Sequence, residues 1–227
     1  MAESIIQNFN HLKIHSQYSI CEGAIKIDDL RDFSKENKIK SLALCDTTNL
    51  CGALEFAEKI SKVGTQPIIG TQINFKYGDT VGLLPLYALN EEGYKSIIEL
   101  SSLSYLKNDK LSDPHLDFDE LLSKNIGVAL FSGTINGFFG QLFDKGKFTD
   151  IKELYSKLKS QFDDRFYIEI QRHGNQNELG FEKFNLSKSL ELEIPLIATN
   201  EVFYIDRNMH EAHDALICIK NKTYVNE

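Results

Sequence analysis

The stretch HLKIHSQYSICEGAIKIDDLRDFSKENKIKSLALCD (11–46) carries the first evidence of the fold. HLKIHS (11–16) alternates as a strand does, setting His11, Lys13 and His15 on one face and Leu12 and Ile14 on the other. Helical periodicity follows at about 27–38, and SLALCD (41–46) reads as a strand buried on both faces. Strand, helix and strand in quick succession predict parallel pairing through a crossover helix.

The same alternation continues outward. Further strands are expected at PIIGTQINF (67–75), GLLPLYALN (82–90), IGVALFSG (126–133), FYIEIQR (166–172) and PLIATNEVFY (195–204). Helices are expected at about 50–63, 91–106, 117–124, 136–144, 150–162 and 178–192, with Asn90 as a cap before EEGYKSIIEL and Gly64 closing FAEKISKV. KNDKLSDPHLDFD (107–119) reads as an exposed connection within one domain. Seven such strands suit a closed α/β barrel, and an open doubly wound sheet gives the same string. Both folds gather their chemistry at the carboxyl ends of the strands, which here carry His15, Asp46, Gln72, Ser132, His173, Asn200 and Glu201.

Composition narrows the function. With 42% hydrophobic and 26% charged residues in 227, the chain has the mix of a folded globular protein. A net charge of −8 repels phosphate backbones, so unaided nucleic-acid binding through a basic face is not expected. The cysteines Cys21, Cys45, Cys51 and Cys218 form no C-x-x-C pair, which fits a reducing cytoplasm. The opening MAESIIQNFN lacks the order of a signal peptide, and no apolar run reaches the length of a membrane span.

Lys13 poses the central chemical question. His15, Glu22, Asp46, His173 and Glu201 offer enough donors to assemble a metal site. A fixed ammonium about 5 Å from a dication, however, costs on the order of 6 kcal/mol at an effective dielectric near 20. The alternative is a polar plug in which Lys13 pairs with Glu22, Asp46 or Glu201. His11 reads as a hydrogen-bonding surface residue, and His210 with His213 in MHEAHD as a solvated helical pair, one residue short of the H-E-x-x-H zinc spacing. SGTINGFFG reads as a strand-to-helix turn, and no G-x-S-x-G elbow is present.

Taken together, HLKIHSQYSICEGA, ALCDTTNLCGALEFAEKI, QPIIGTQINF, YIEIQRHG, IPLIATNEVFYI and HEAHDALICI resemble the PHP (polymerase and histidinol phosphatase) domain family. The branch resembled is the one that opens the α subunits of bacterial DNA polymerase III, with the match running from about residue 8 to the end. The resemblance implies an α/β fold, a distorted (β/α)7 barrel, with residues 1–227 forming a single PHP domain at the front of a longer polymerase subunit. In metal-binding relatives this barrel holds a trinuclear cluster and hydrolyses phosphoesters.

Carried over residue by residue, the family's ligand positions fall on Lys13, His15, Glu22, Asp46, Thr47, Gln72, Leu83, Thr134, Glu201 and Phe203. Lysine, threonine, glutamine, leucine and phenylalanine cannot serve there as required, so the expectation is a vestigial site with no metal and no catalysis in this domain. The resemblance further implies a parent that is a DNA-directed DNA polymerase, a nucleotidyltransferase of DNA replication. Its Mg2+ would be held outside this segment. Its partners would be DNA through the rest of the parent, a proofreading exonuclease subunit docked on this domain, and other holoenzyme subunits, with no membrane. The alternative is a residual metal-dependent phosphoesterase or 3′–5′ exonuclease using His15, Glu22, Asp46, His173 and Glu201.

Overall fold

A computed structural model describes residues 9–109, 112–174 and 176–225. Residues 1–8, on which most of the signal-peptide reading rests, residues 110–111 of the 107–119 connection, and the last two residues lie outside the described set. The chain divides into two compact units, residues 1–70 with 200–227, and residues 71–199.

The first unit is built from the opening stretch and the chain's end. Strand β1 (Lys13–Ile14) pairs in parallel with β2 (Ser41–Thr47), matching Ile14 to Leu44. On its other side it pairs in parallel with β9 (Glu201–Val202), matching Lys13 to Glu201. Helix α1 (Ile27–Glu36) is the expected crossover; it turns Ile27 and Leu30 inward, where they join Ile14, Ile25, Leu42, Leu44, Phe56 and Ile60 in one apolar cluster. Phe56 and Ile60 come from α2 (Ala53–Ser61), and Gly64 closes the turn after it with φ +83°. At the far end α8 (His210–Asn221) completes the unit.

Strand β3 (Gln66–Tyr77) runs from the first unit into the second. Only Gly78 and Asp79 separate it from β4 (Thr80–Ala88), and β4 pairs antiparallel with β6 (Val128–Phe131). This corrects the expectation of parallel pairing throughout. A two-residue link leaves no room for a crossover helix, and Gly78 takes the left-handed conformation (φ +59°) that such a turn requires. Strand β7 (Phe166–Ile170) pairs in parallel with β6 and with β8 (Leu196–Ala198), as expected. Within the 107–119 segment, expected to be an exposed connection, Leu116–Asp117 forms a short strand, β5, beside Phe75 and Lys76 of β3.

Besides the short α4 (Phe118–Ser123), the described residues of this unit form α3 (Glu91–Leu106), α5 (Phe138–Asp144), α6 (Phe148–Phe162) and α7 (Gln176–Leu192). Asn90 caps α3 as expected, its side chain accepting from the Gly93 amide at 2.9 Å. The expected strand 195–204 is instead two pieces, β8 and β9, separated by Thr199 and Asn200 and belonging to different units.

Candidate functional site

Register decides what Lys13 meets. Both faces of β1 are covered, so Ile14 enters the apolar cluster while Lys13 and His15 turn to the opposite face, each almost fully buried. The Lys13–Glu201 pairing across β1 and β9 brings Lys13 Nζ to 2.9 Å from Glu201 Oε1, and His15 Nε2 lies 3.6 Å from the same oxygen. Glu201, one of the three acids considered for this lysine, forms a salt bridge with it. Burial raises the Glu201 carboxyl, but the imidazole of His15 and the ammonium of Lys13 outweigh it and hold the group well below the usual carboxylate range.

The His15 ring stacks on Phe203, with centroids 4.6 Å apart and planes 15° from parallel. Phe203 in turn stacks on His213 of α8 at 5.7 Å. His213 also donates from Nε2 to the Glu22 carbonyl at 2.8 Å, and Lys220 of the same helix binds the Glu22 carboxylate at 2.6 Å. His213 is therefore a half-buried brace rather than the solvated residue expected. Glu22, carried over as a ligand, sits in a salt bridge with α8.

Asp46, at the end of β2, is held by three donors from the loop after β1. The Ser16 amide (2.7 Å), Ser16 Oγ (2.8 Å) and Ser19 Oγ (2.7 Å) all bind its carboxylate. Thr47, where the resemblance calls for a histidine, donates its amide to Ser19 Oγ at 3.0 Å. The loop closes so tightly that a Cβ on Gly23 would stand 2.2 Å from the Ser16 carbonyl oxygen, which restricts the position to glycine. His11 differs from expectation: it is half-buried, edge-on to Phe9, and its Nδ1 has no hydrogen-bond partner among the described residues.

The other carried-over positions belong to the second unit. Gln72 is buried on β3, Leu83 lies on β4, and Thr134 follows β6. His173 is bound by Glu178 of α7, Nδ1 to Oε1 at 3.0 Å, with the His173 and Gly174 amides donating to the other carboxylate oxygen. Sequence reasoning missed a polar cluster here. Glu169 accepts from Gln171 at 2.9 Å and from Thr199, while Tyr155 donates to Asn185 at 3.0 Å. Its sequence signals were a glutamate inside the apolar FYIEI and an asparagine in the middle of α7.

The family's metal cluster does not fit these residues. A buried ammonium sits 2.9 Å from Glu201, an acid that the resemblance assigns to the metal, and the adjoining imidazole faces Phe203, a phenyl ring where the resemblance calls for a further imidazole. No group of three or more His, Cys, Asp or Glu side chains among the described residues is arranged to hold a metal ion.

Comparison with known proteins gives the class. The model of the PHP domain family matches residues 11–173, and the chain belongs to that family. Two solved structures share its fold: an amidohydrolase from Chromobacterium violaceum, with TM-score 0.56 at 10% identity over 91% of this chain and 96% of that one, and a two-domain protein from Bacteroides vulgatus containing a predicted PHP-like metal-dependent phosphoesterase, with TM-score 0.53 at 14% identity over 86% of this chain and 51% of that one. The α/β PHP-type fold expected from the sequence is thus borne out.

Within the family, the similarity is to DNA polymerase III subunit alpha. The protein of that name from Caulobacter vibrioides is 35% identical over 100% of this chain, that from Rickettsia felis 37% over 93%, and that from Borreliella burgdorferi 34% over 95%. The chain spans about a fifth of the length of these curated relatives, 21%, 18% and 20% respectively.

Proposed function

We propose that residues 1–227 form a single PHP domain at the amino-terminal end of a replicative DNA polymerase subunit, and that this domain is catalytically silent. Supporting this is the ion pair between buried Lys13 and half-buried Glu201, two positions that the resemblance assigns to the family's metal ligands. With Thr47, Gln72, Leu83, Thr134 and Phe203 at the other carried-over positions, the set lacks the imidazoles and carboxylates that a trinuclear site uses. Polymerisation belongs to the rest of the parent, where carboxylates hold two Mg2+ ions for nucleotidyl transfer.

On this reading the domain is a platform. It packs on the polymerase core and holds a separate proofreading exonuclease subunit near the primer end, raising that partner's effective concentration without any chemistry of its own. Similarity to polymerase III α subunits along the whole chain supports this role. The test is a pair of assays on the full-length parent. Purified protein should leave a nitrophenyl phosphoester and a 3′-mismatched primer intact with added Zn2+ or Mn2+, while binding the exonuclease subunit with an affinity lost on deleting residues 1–227. Metal-dependent hydrolysis abolished by His15→Ala would replace this reading with that of a residual phosphoesterase or exonuclease.

A further inference from the structure

The first unit contains a groove of about 590 Å³ that the Lys13 site does not use. It lies between α1 and the segment leading into α8. Its floor is apolar, made by Ile25, Phe33, Ile205 and Met209, and the last two keep 36% and 38% of their exposure. Its rim is acidic, carrying Asp29, Asp32, Glu36 and Asp206, and none of its lining residues is a lysine or arginine.

The helix explains the arrangement. Asp29, Asp32, Phe33 and Glu36 follow the i, i+3, i+4, i+7 spacing of one helical face, while Ile27, Leu30 and Ser34 take the buried face. Asp32 is engaged by its neighbour Arg31, and Asp206 accepts from the Asn208 amide. Asp29 and Glu36 form no salt bridge among the described residues. A chain of net charge −8 has thus concentrated carboxylates around its own apolar trough. The acids stand around an apolar floor rather than converging on a point, and they do not form a metal-holding group. A trough of this volume takes several side chains, as a helix-in-groove contact does.

We propose that this groove docks a basic amphipathic segment of a partner protein, its apolar side chains entering between Phe33 and Met209 and its lysines or arginines meeting Asp29, Glu36 and Asp206. The assignment is independent of whether the Lys13 site holds a metal. Complementary charge would set the encounter rate and its salt dependence, and the apolar floor the residence time.

The test uses the complete native protein and a fluorescein-labelled 18-residue Leu/Lys peptide with leucines at helical i, i+3, i+4, i+7 spacing, beside its Leu/Glu counterpart. The expected result is binding of the Leu/Lys peptide alone. Asp29→Asn/Glu36→Gln should weaken it at least fivefold at low salt, Met209→Ser should weaken it at high salt as well, and Glu153→Gln/Asp164→Asn, which removes equal charge from the exposed surface elsewhere, should change it less than twofold. Equal losses in the groove and control variants would overturn the proposal in favour of non-specific attraction to net charge. So would absence of binding, or resistance of the Met209 side chain to hydroxyl-radical oxidation without peptide, because the groove would then be closed by the protein's own chain or, if resistance rises with concentration, by a second copy.

Discussion

At the scale of single residues, the Lys13 side chain carries the account. Its ammonium and the Glu201 carboxylate are each costly to bury alone, and each offsets the other's desolvation. Removing Lys13 takes from Glu201 the ammonium that, with His15, holds it as a carboxylate. Lys13→Met should therefore lower unfolding free energy by about 3 kcal/mol, while Lys13→Met/Glu201→Gln should recover most of that loss, with urea denaturation as the measurement. The acid limb of stability gives an independent check. Because Glu201 is held below the usual carboxylate range, its contribution is fully present above the unfolded value of about 4.5 and is lost as pH falls from there through its folded value. Glu201→Gln should accordingly flatten the fall in stability between about pH 5 and pH 3 relative to the unaltered protein, and an unchanged slope would show that the pair contributes no linkage.

The anomaly at this scale was legible in the sequence, since a lysine between two histidines on a strand is visible without coordinates. Its salt-bridge partner was not. Glu22, Asp46 and Glu201 are equivalent candidates in the sequence; the β1–β9 register sets Glu201 opposite Lys13, while two serines bind Asp46 and Lys220 binds Glu22. Register across distant segments is a long-range property that local alternation does not encode.

At the scale of elements, the strands with uniformly buried middles and the helices with clear caps were readable, as β2 and α3 illustrate. Helix α7 was found by length and position, yet its faces contradict the usual pattern. It buries Glu178, Asn185 and Ser189 with Phe181 and exposes Leu179 and Leu190, because the inward residues serve hydrogen bonds to His173, Tyr155 and the Ile194 carbonyl. Hydrophobic periodicity cannot announce a face chosen for hydrogen bonding. The antiparallel β4 was likewise hidden, since apolar runs carry no sign of strand direction.

Close approach between elements gives a sharper test than periodicity. A Cβ on Gly93, in the first turn of α3, would lie 1.8 Å from the Gly127 carbonyl oxygen just before β6. Gly93→Ala should therefore cost roughly 2 kcal/mol or more, despite the better helix propensity of alanine, whereas Asn90→Ala at the cap of the same helix should cost about 1 kcal/mol. Thermal denaturation of the two variants side by side distinguishes steric conflict from the loss of one capping bond.

At the scale of the whole molecule, the chain belongs to a family whose fold also occurs in a protein containing a predicted metal-dependent phosphoesterase; on the proposed reading, the acids at the family's ligand positions, Glu22, Asp46 and Glu201, are engaged in internal bonds. The fold tolerates this because a strand-end acid can be satisfied by hydroxyls, amides or an ammonium as well as by an ion. One substitution does not reverse the change: Lys13→His should not confer tight zinc binding, since Thr47 and Phe203 remain, and calorimetric titration with Zn2+ should show no stoichiometric event.

The most direct measurement is anomalous X-ray scattering from crystals of the unaltered protein grown with Mn2+ or Zn2+, read at the position bounded by Lys13, His15 and Glu201. No anomalous peak is expected there, with continuous density between the lysine and the glutamate. A full-occupancy ion ligated by His15 and Glu201, with the Lys13 side chain displaced, would contradict it.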